Sequence, residues 1–223
     1  MKTFDYELFD SVELKRINVN GKRLYLTESG DRYPSVTTVL SYFSRKGIAK
    51  WRERVGNKEA NKISTQASGF GTSVHNIAEK YTLGILDPKE ENPIALSSFR
   101  TIQPHLDDNV DKIYGVETRM YSDELKTAGT ADLICRYDSK NTILDFKTSR
   151  KRKTHSQVKT YFMQCAAYAI MVKERYDVDI EQAVILMAVR EDNNPIVFKE
   201  DIKPWIDMTR KFFELYNAGK FED

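Results

Sequence analysis

The sequence predicts a mixed α/β sheet with helices on both faces, and three observations carry this. Three β-type runs follow closely at residues 113–121, 130–137 and 142–148, spaced as an antiparallel meander. A helical pattern over 157–176 then leads to AVILMAV at 183–189, an almost wholly apolar run of the kind that fills a buried strand. Helix-length periodic segments precede the meander and close the chain.

Taken in order, residues 14–19 and 23–27 alternate apolar and polar around Asn20-Gly21, the signature of a hairpin turn. Ser29-Gly30-Asp31 marks another turn, after which Ser35 or Thr37 caps a helix with an apolar stripe of Val36, Val39, Leu40 and Phe43. Gly47 is expected to end that helix, and a second short helix holds Trp51. A long helical stretch over 59–81 is interrupted by Gly69 and Gly71, with a restart capped by Thr72 or Ser73 and a stripe of Val74, Ile77, Ala78 and Tyr81. A Gly-, Pro- and acid-rich linker over 83–93 precedes a helix at 94–105. After AVILMAV, Asn193-Asn194-Pro195 turns into a strand at 196–199, and the last helix, 201–216, packs through Ile202, Trp205, Ile206, Phe212, Phe213 and Tyr216. The crossover from the third strand of the meander to AVILMAV is expected to be parallel.

Composition narrows the class. The chain has 223 residues, 40% hydrophobic and 30% charged, which suits one domain with a substantial core. Net charge is only +2, so any anionic partner must be met by local clusters. Cys135 and Cys165 lie in apolar surroundings without metal-ligand spacing, which argues against zinc, an iron–sulfur cluster or a disulfide framework. No apolar run reaches the roughly 18–20 residues of a membrane span, and the start of the chain, with Asp5, Glu7, Asp10 and Glu13, resembles neither a secretory signal nor a transit peptide. A soluble cytoplasmic protein is expected.

The chemistry concentrates in GTADLICRYDSKNTILDFK, residues 129–147. Strand alternation puts Asp145 and Lys147 on one face and turns Leu144 and Phe146 to the core. With Asp132 beside Asp145 on the neighbouring strand, two carboxylates and an ammonium converge. Paired carboxylates repel unless a cation sits between them, and oxygen ligands of this kind suit Mg²⁺ or Mn²⁺. Taken alone, Asp145-x-Lys147 is more often a solvated strand edge with an incidental salt bridge.

The wider pattern resembles a known family. Gly129-x-x-Asp132 followed by Asp145-x-Lys147-Thr148-Ser149 is similar to the PD-(D/E)xK nuclease superfamily. More narrowly it resembles the RecB-like branch, which includes phage exonucleases and the mitochondrial genome maintenance exonuclease. Three further segments carry that resemblance: Gly71-Thr-Ser-Val-His75, Gln164-Cys-Ala-Ala-Tyr168, and the early YPSVTTVL. Together they span roughly 33–189. Two departures stand: no proline precedes Asp132, and the iron–sulfur cysteines of some relatives are missing.

The resemblance implies a restriction-endonuclease-like sheet and a metal-dependent deoxyribonuclease, an exonuclease on single-stranded DNA or DNA ends in phage-type processing or recombination. It implies a metal set of His75, Asp132 and Asp145, with Phe146 counted among them. Glu117 joins that set as a ligand or as a partner of one, against the alternative of an Arg119 salt bridge. Lys147 assists the attacking water, and Gln164 and Tyr168, one helical turn apart, border the site. The alternative for His75 is a structural histidine; for Gln164 and Tyr168 it is a surface glutamine and a core tyrosine. The cations Arg150, Lys151, Arg152, Lys153 and Lys159 follow Lys147 without an intervening acid and are placed to grip phosphates. Trp51, among Arg45, Lys46, Lys50, Arg52 and Arg54, suits stacking on unpaired bases, or else a core position with solvated flanks. Residues 1–223 then form one nuclease domain: an N-terminal hairpin extension (1–34), a mainly helical DNA-guiding part (35–110) and a catalytic sheet core (111–223). A structure-specific endonuclease and an inactive nucleic-acid-binding module are the rival readings.

Overall fold

The computed structural model describes residues 2–10, 12–19, 22–192 and 194–221. The N-terminal part holds β1 (Asp5–Tyr6), β2 (Lys15–Val19), β3 (Lys22–Leu26) and β4 (Arg32–Pro34), then α1 (Val36–Val55), α2 (Asn57–Thr82) and α3 (Pro93–Asn109). The sheet core follows with β5 (Val110–Ser122), β6 (Thr127–Tyr137), β7 (Lys140–Ser149), α4 (Lys159–Tyr176), β8 (Gln182–Val189), β9 (Ile196–Asp201) and α5 (Lys203–Asn217). A single 3₁₀ turn, His155–Gln157, precedes α4.

The main sheet has the order β1-β5-β6-β7-β8-β9. β5, β6 and β7 are the expected antiparallel meander. α4 carries the chain across to β8, which pairs parallel to β7 from Thr142↔Gln182 to Ser149↔Val189. β8 is buried along its whole length, as its unbroken apolar sequence requires. Each fully buried branched side chain there contributes about 1.5–3 kcal/mol. β9 closes one edge antiparallel, and β1, too short to be read from the sequence, adds the other edge parallel to β5.

Two core layers cover the two faces. α1, α4 and α5 bury Val39, Leu40, Phe162, Ala166 and Phe213 against Ile134, Ile143, Ile185 and Met187. α2 and α3 bury Val74, Ile77, Tyr81, Phe99 and Ile102 against Leu133, Leu144, Phe146 and Leu186. Cys135 and Cys165 fall in opposite layers, so one ligand cannot engage both. β2, β3 and β4 form a separate three-stranded sheet; the expected Asn20-Gly21 turn lies outside the described residues, as does Asn193 of the expected turn before β9.

The helical part differs from expectation at its glycines. Ser35 caps α1 as expected, accepting the Thr38 N–H at 3.0 Å. α1 then runs through Gly47 and carries Trp51 within the same helix. A helical glycine costs only about 1 kcal/mol, so it does not by itself end a helix. Gly56 does, because its φ of +82° lies in the left-handed region. α2 likewise continues through Gly69 and Gly71 without a restart. A Cβ on Gly71 would lie 3.4 Å from the Thr148 hydroxyl, an ordinary contact where α2 packs on β7.

The outer half of α1 and the first half of α2 are largely exposed. They carry Arg45, Lys46, Lys50, Arg52, Arg54, Lys58 and Lys62 against only Glu53 and Glu59. Arg52 donates to Asn61 at 2.7 Å and ties the two helices together. No described helix is long and apolar enough to cross a membrane.

Candidate active site

The site begins where β6 and β7 part. Their ladder runs from Tyr137↔Lys140 to Leu133↔Leu144 and stops. The next step would set Asp132 opposite Asp145. Instead the Asp132 carboxylate accepts the Phe146 N–H at 2.9 Å, standing in for a backbone carbonyl. β6 stays paired with β5 and β7 with β8 beyond this point, so the sheet opens as a fork. A cavity of about 640 Å³ lies here, lined from β5, β6, β7, α2 and α4 and closed on one side by Tyr25 of β3.

Each prong supplies part of the cluster. From α2, His75 Nδ1 reaches Asp132 Oδ2 at 3.4 Å. From β5, Glu117 turns inward on a backbone with φ of +46°, a left-handed conformation that costs a non-glycine residue about 1 kcal/mol or more. Such strain inside a strand is retained where the side chain's direction matters. His75, Glu117 and Asp132 each offer a ligand atom, all within 4.8 Å of one another. Beneath them Asp145 is only 1% exposed, and neither of its carboxylate oxygens receives a hydrogen bond of acceptable geometry. The Lys147 ammonium ion-pairs with Oδ2.

The electrostatics follow from burial among like charges. Burial, then the charges of Asp132, Glu79 and Asp145, push the Glu117 carboxyl up to about 7. Asp145 is also pushed up to about 7, by burial and by Asp132, with Lys147 opposing. Burial pulls Lys147 down, but Asp145 and Asp132 outweigh it and hold the ammonium above its ordinary value. Burial and Lys147 lower His75 despite Asp132 and the Phe146 carbonyl, which favours the neutral imidazole that a metal requires. Glu117 therefore gives a pH prediction. Between about 4.5 and 7 the folded, metal-free protein holds a proton there that the unfolded chain has released, so this group's contribution falls as pH rises through that window. Glu117→Gln should leave stability unchanged near pH 4 and raise it by about 1–2 kcal/mol at pH 8 in EDTA, the figure discounted for partial exposure. Melting curves at both pH values check this.

α4 forms the opposite wall. Gln164 and Tyr168 share its buried face, with Gln164 Nε2 donating to the Tyr168 hydroxyl at 3.4 Å. Gly129 explains its own presence: a Cβ there would lie 2.8 Å from Tyr168 Cε1. Gly129→Ala should displace Tyr168 and cost about 1–3 kcal/mol as overpacking, measurable as a lower melting temperature.

The structure thus gathers His75, Glu117, Asp132, Asp145, Lys147, Gln164 and Tyr168. Phe146 contributes backbone groups while its ring lies in the α2/α3 core. Of the remaining residues, Lys153 meets the cavity wall through Tyr161 and the others are not gathered. Trp51 is half-buried on α1 away from the cavity, and Lys159 is exposed at the start of α4. Arg150 and Arg152 pair with Glu191 and Asp192, while Lys151 is exposed. Among the lining residues not read as site residues from the sequence are Tyr161 and Tyr25. Tyr161 lies three residues before Gln164 on the same helical face, a signal that was available. Tyr25 comes from a distant hairpin and has no local signal.

These features define a class: an α/β protein whose forked mixed sheet gathers acids, a histidine and a lysine in an open cleft. No family model matches the chain. It is similar to mitochondrial genome maintenance exonuclease 1 of Xenopus tropicalis, at 21% identity over 169 residues, covering 72% of this chain and 44% of that protein. The chain therefore spans less than half the length of that relative. The structure resembles that of a candidate exonuclease from Eubacterium rectale with a TM-score of 0.45 and 11% identity, covering 67% of this chain and 65% of the other.

Proposed function

We propose that this chain is a Mg²⁺- or Mn²⁺-dependent DNA exonuclease of the PD-(D/E)xK superfamily, RecB-like branch, folded as one nuclease domain. The observation that carries this reading is the fork. His75, Glu117 and Asp132 converge within 4.8 Å above a buried Asp145 whose Oδ1 lacks a donor. A buried carboxylate oxygen without a partner costs about 1–3 kcal/mol. A divalent cation relieves that cost and the repulsion among the acids together, so the donor set fits a hard cation with oxygen and imidazole ligands.

His75, Glu117, Asp132 and Asp145, with the Phe146 backbone, would hold the ion. When bound it supplies Lewis-acid polarisation of the scissile phosphate and a more acidic water. Lys147, protonated at neutral pH, donates to the attacking water or to charge developing on phosphorus; it is not a base. Gln164 and Tyr168 orient Lys147 and the strand from α4. The basic α1–α2 helices and the segment after Lys147 carry the backbone phosphates, which would make binding salt-dependent. The open cleft suits a single strand or a frayed end, in the manner of phage-type DNA processing or recombination.

The test uses end-labelled linear single- and double-stranded DNA and a circular single strand, with Mg²⁺, Mn²⁺ or EDTA. The expected result is metal-dependent shortening of the linear single strand with the circle intact. Cutting of the circle would replace the exonuclease with an endonuclease, and cutting in EDTA would remove the metal.

A further inference from the structure

The cations that follow Lys147 are not equivalent. Arg150 Nε pairs with Glu191 at 2.6 Å and Arg152 Nη1 with Asp192 at 2.8 Å, so both are matched by the connection between β8 and β9. Lys153 turns the other way and is half-buried. Its Nζ donates to the Tyr161 hydroxyl at 2.6 Å and lies 4.9 Å from the centre of that ring. Lys147 Nζ lies 5.1 Å from the centre of the same ring. Tyr161 lines the cavity beside Gln164 and Tyr168. Among the described residues no carboxylate pairs with Lys153.

The kind of contact matters. A carboxylate partner would cancel the ammonium's charge, whereas a phenol hydroxyl and an aromatic face orient it and leave the charge whole. Two cations on one ring repel each other, and Asp145 neutralises only Lys147. An anion at the cavity rim would complete the arrangement. A lysine held this way binds phosphate as a point charge.

We infer that Tyr161 is a positioning residue that holds Lys153 at the rim of the cavity as a ligand for a backbone phosphate of the bound strand, while its ring steadies Lys147. This rests on the nuclease reading above. It predicts that Tyr161 and Lys153 act as one unit.

The test compares Tyr161→Phe, Lys153→Ala, their combination and Lys153→Arg, using binding of a labelled single-stranded oligonucleotide in EDTA at several salt concentrations and cleavage with Mn²⁺. Melting temperatures report folding. Each single variant should reduce the slope of log K against log salt by about 0.7, the value for one lost phosphate contact on a single strand. The combination should reduce it no further, and Lys153→Arg should restore it. In cleavage, KM should rise about 3–10-fold with kcat nearly unchanged, the mark of lost binding shared by ground and transition states. A full slope in Tyr161→Phe, or losses that add in the combination, would overturn the inference. Wild type that cuts nothing while these slopes fall together would remove the nuclease reading and leave the phosphate contact standing. Metal-dependent cutting with full slopes in every variant would do the reverse.

Discussion

Replacing Asp145 with Asn is expected to lower DNA cleavage at saturating Mg²⁺ or Mn²⁺ by about 10³-fold or more, since a ligand to the ion supports several kcal/mol of transition-state stabilisation. The position leaves no room for compensation. Asp145 is 1% exposed and its Oδ1 has no donor, so its anionic oxygen has no role in the metal-free fold beyond the pairing of Oδ2 with Lys147. An amide in its place brings no anionic charge to the ion or to the Lys147 ammonium. Stability should move differently from activity. Asn removes a carboxyl that burial and Asp132 push up to about 7 even with Lys147 opposing, so the metal-free melting temperature should not fall at pH 8. What should disappear is stabilisation by metal, which for wild type reaches about 2.7 kcal/mol at a hundredfold excess over Kd. Melting curves with and without Mn²⁺ separate these effects.

Lys147→Ala should reduce cleavage by about 10²–10³-fold, the usual effect of deleting one aligned donor to developing charge. Unlike the Asp145 variant, it should still be stabilised by Mn²⁺, because it retains the acids and His75. Its metal-free stability carries a pH signature. Burial and Asp132 push the Asp145 carboxyl up to about 7 even with Lys147 opposing them. Without the ammonium, Asp145 holds its proton to still higher pH. The variant should match wild type near pH 5, where Asp145 is protonated in both. The deficit should then grow to about 1–3 kcal/mol by pH 8–9, as wild type gains an ion pair the variant cannot form. Both variants lose activity; only one loses metal-induced stabilisation.

Much of the sheet was legible because period-two alternation and a wholly apolar strand are local signals. Asp145 and Lys147 share a face because they are two residues apart. Gln164 and Tyr168 share one because they are four apart on a helix. The fork was not legible. Alternation specifies the face a side chain takes, not where two strands stop pairing, and the break beyond Leu133↔Leu144 depends on a side chain capturing the Phe146 N–H. Nor does sequence show that Glu117 adopts a left-handed backbone. The helix ends were misread at Gly47, Gly69 and Gly71 because glycine's propensity is weak against tertiary packing, while Gly56 ends α1 through its conformation. The run after Lys147 looked uniform in sequence. Its division into paired arginines and a lysine on Tyr161 depends on Glu191 and Asp192, some forty residues downstream.

The most direct test of a metal-dependent nuclease at this fork is nucleotide release from a labelled single-stranded oligonucleotide as Mn²⁺ is titrated into chelator-stripped protein. The proposed function predicts no release without metal, a saturable rise with it, and a flat trace for Asp132→Asn. Release that persists in EDTA, or an Asp132→Asn trace that overlays wild type, would contradict it.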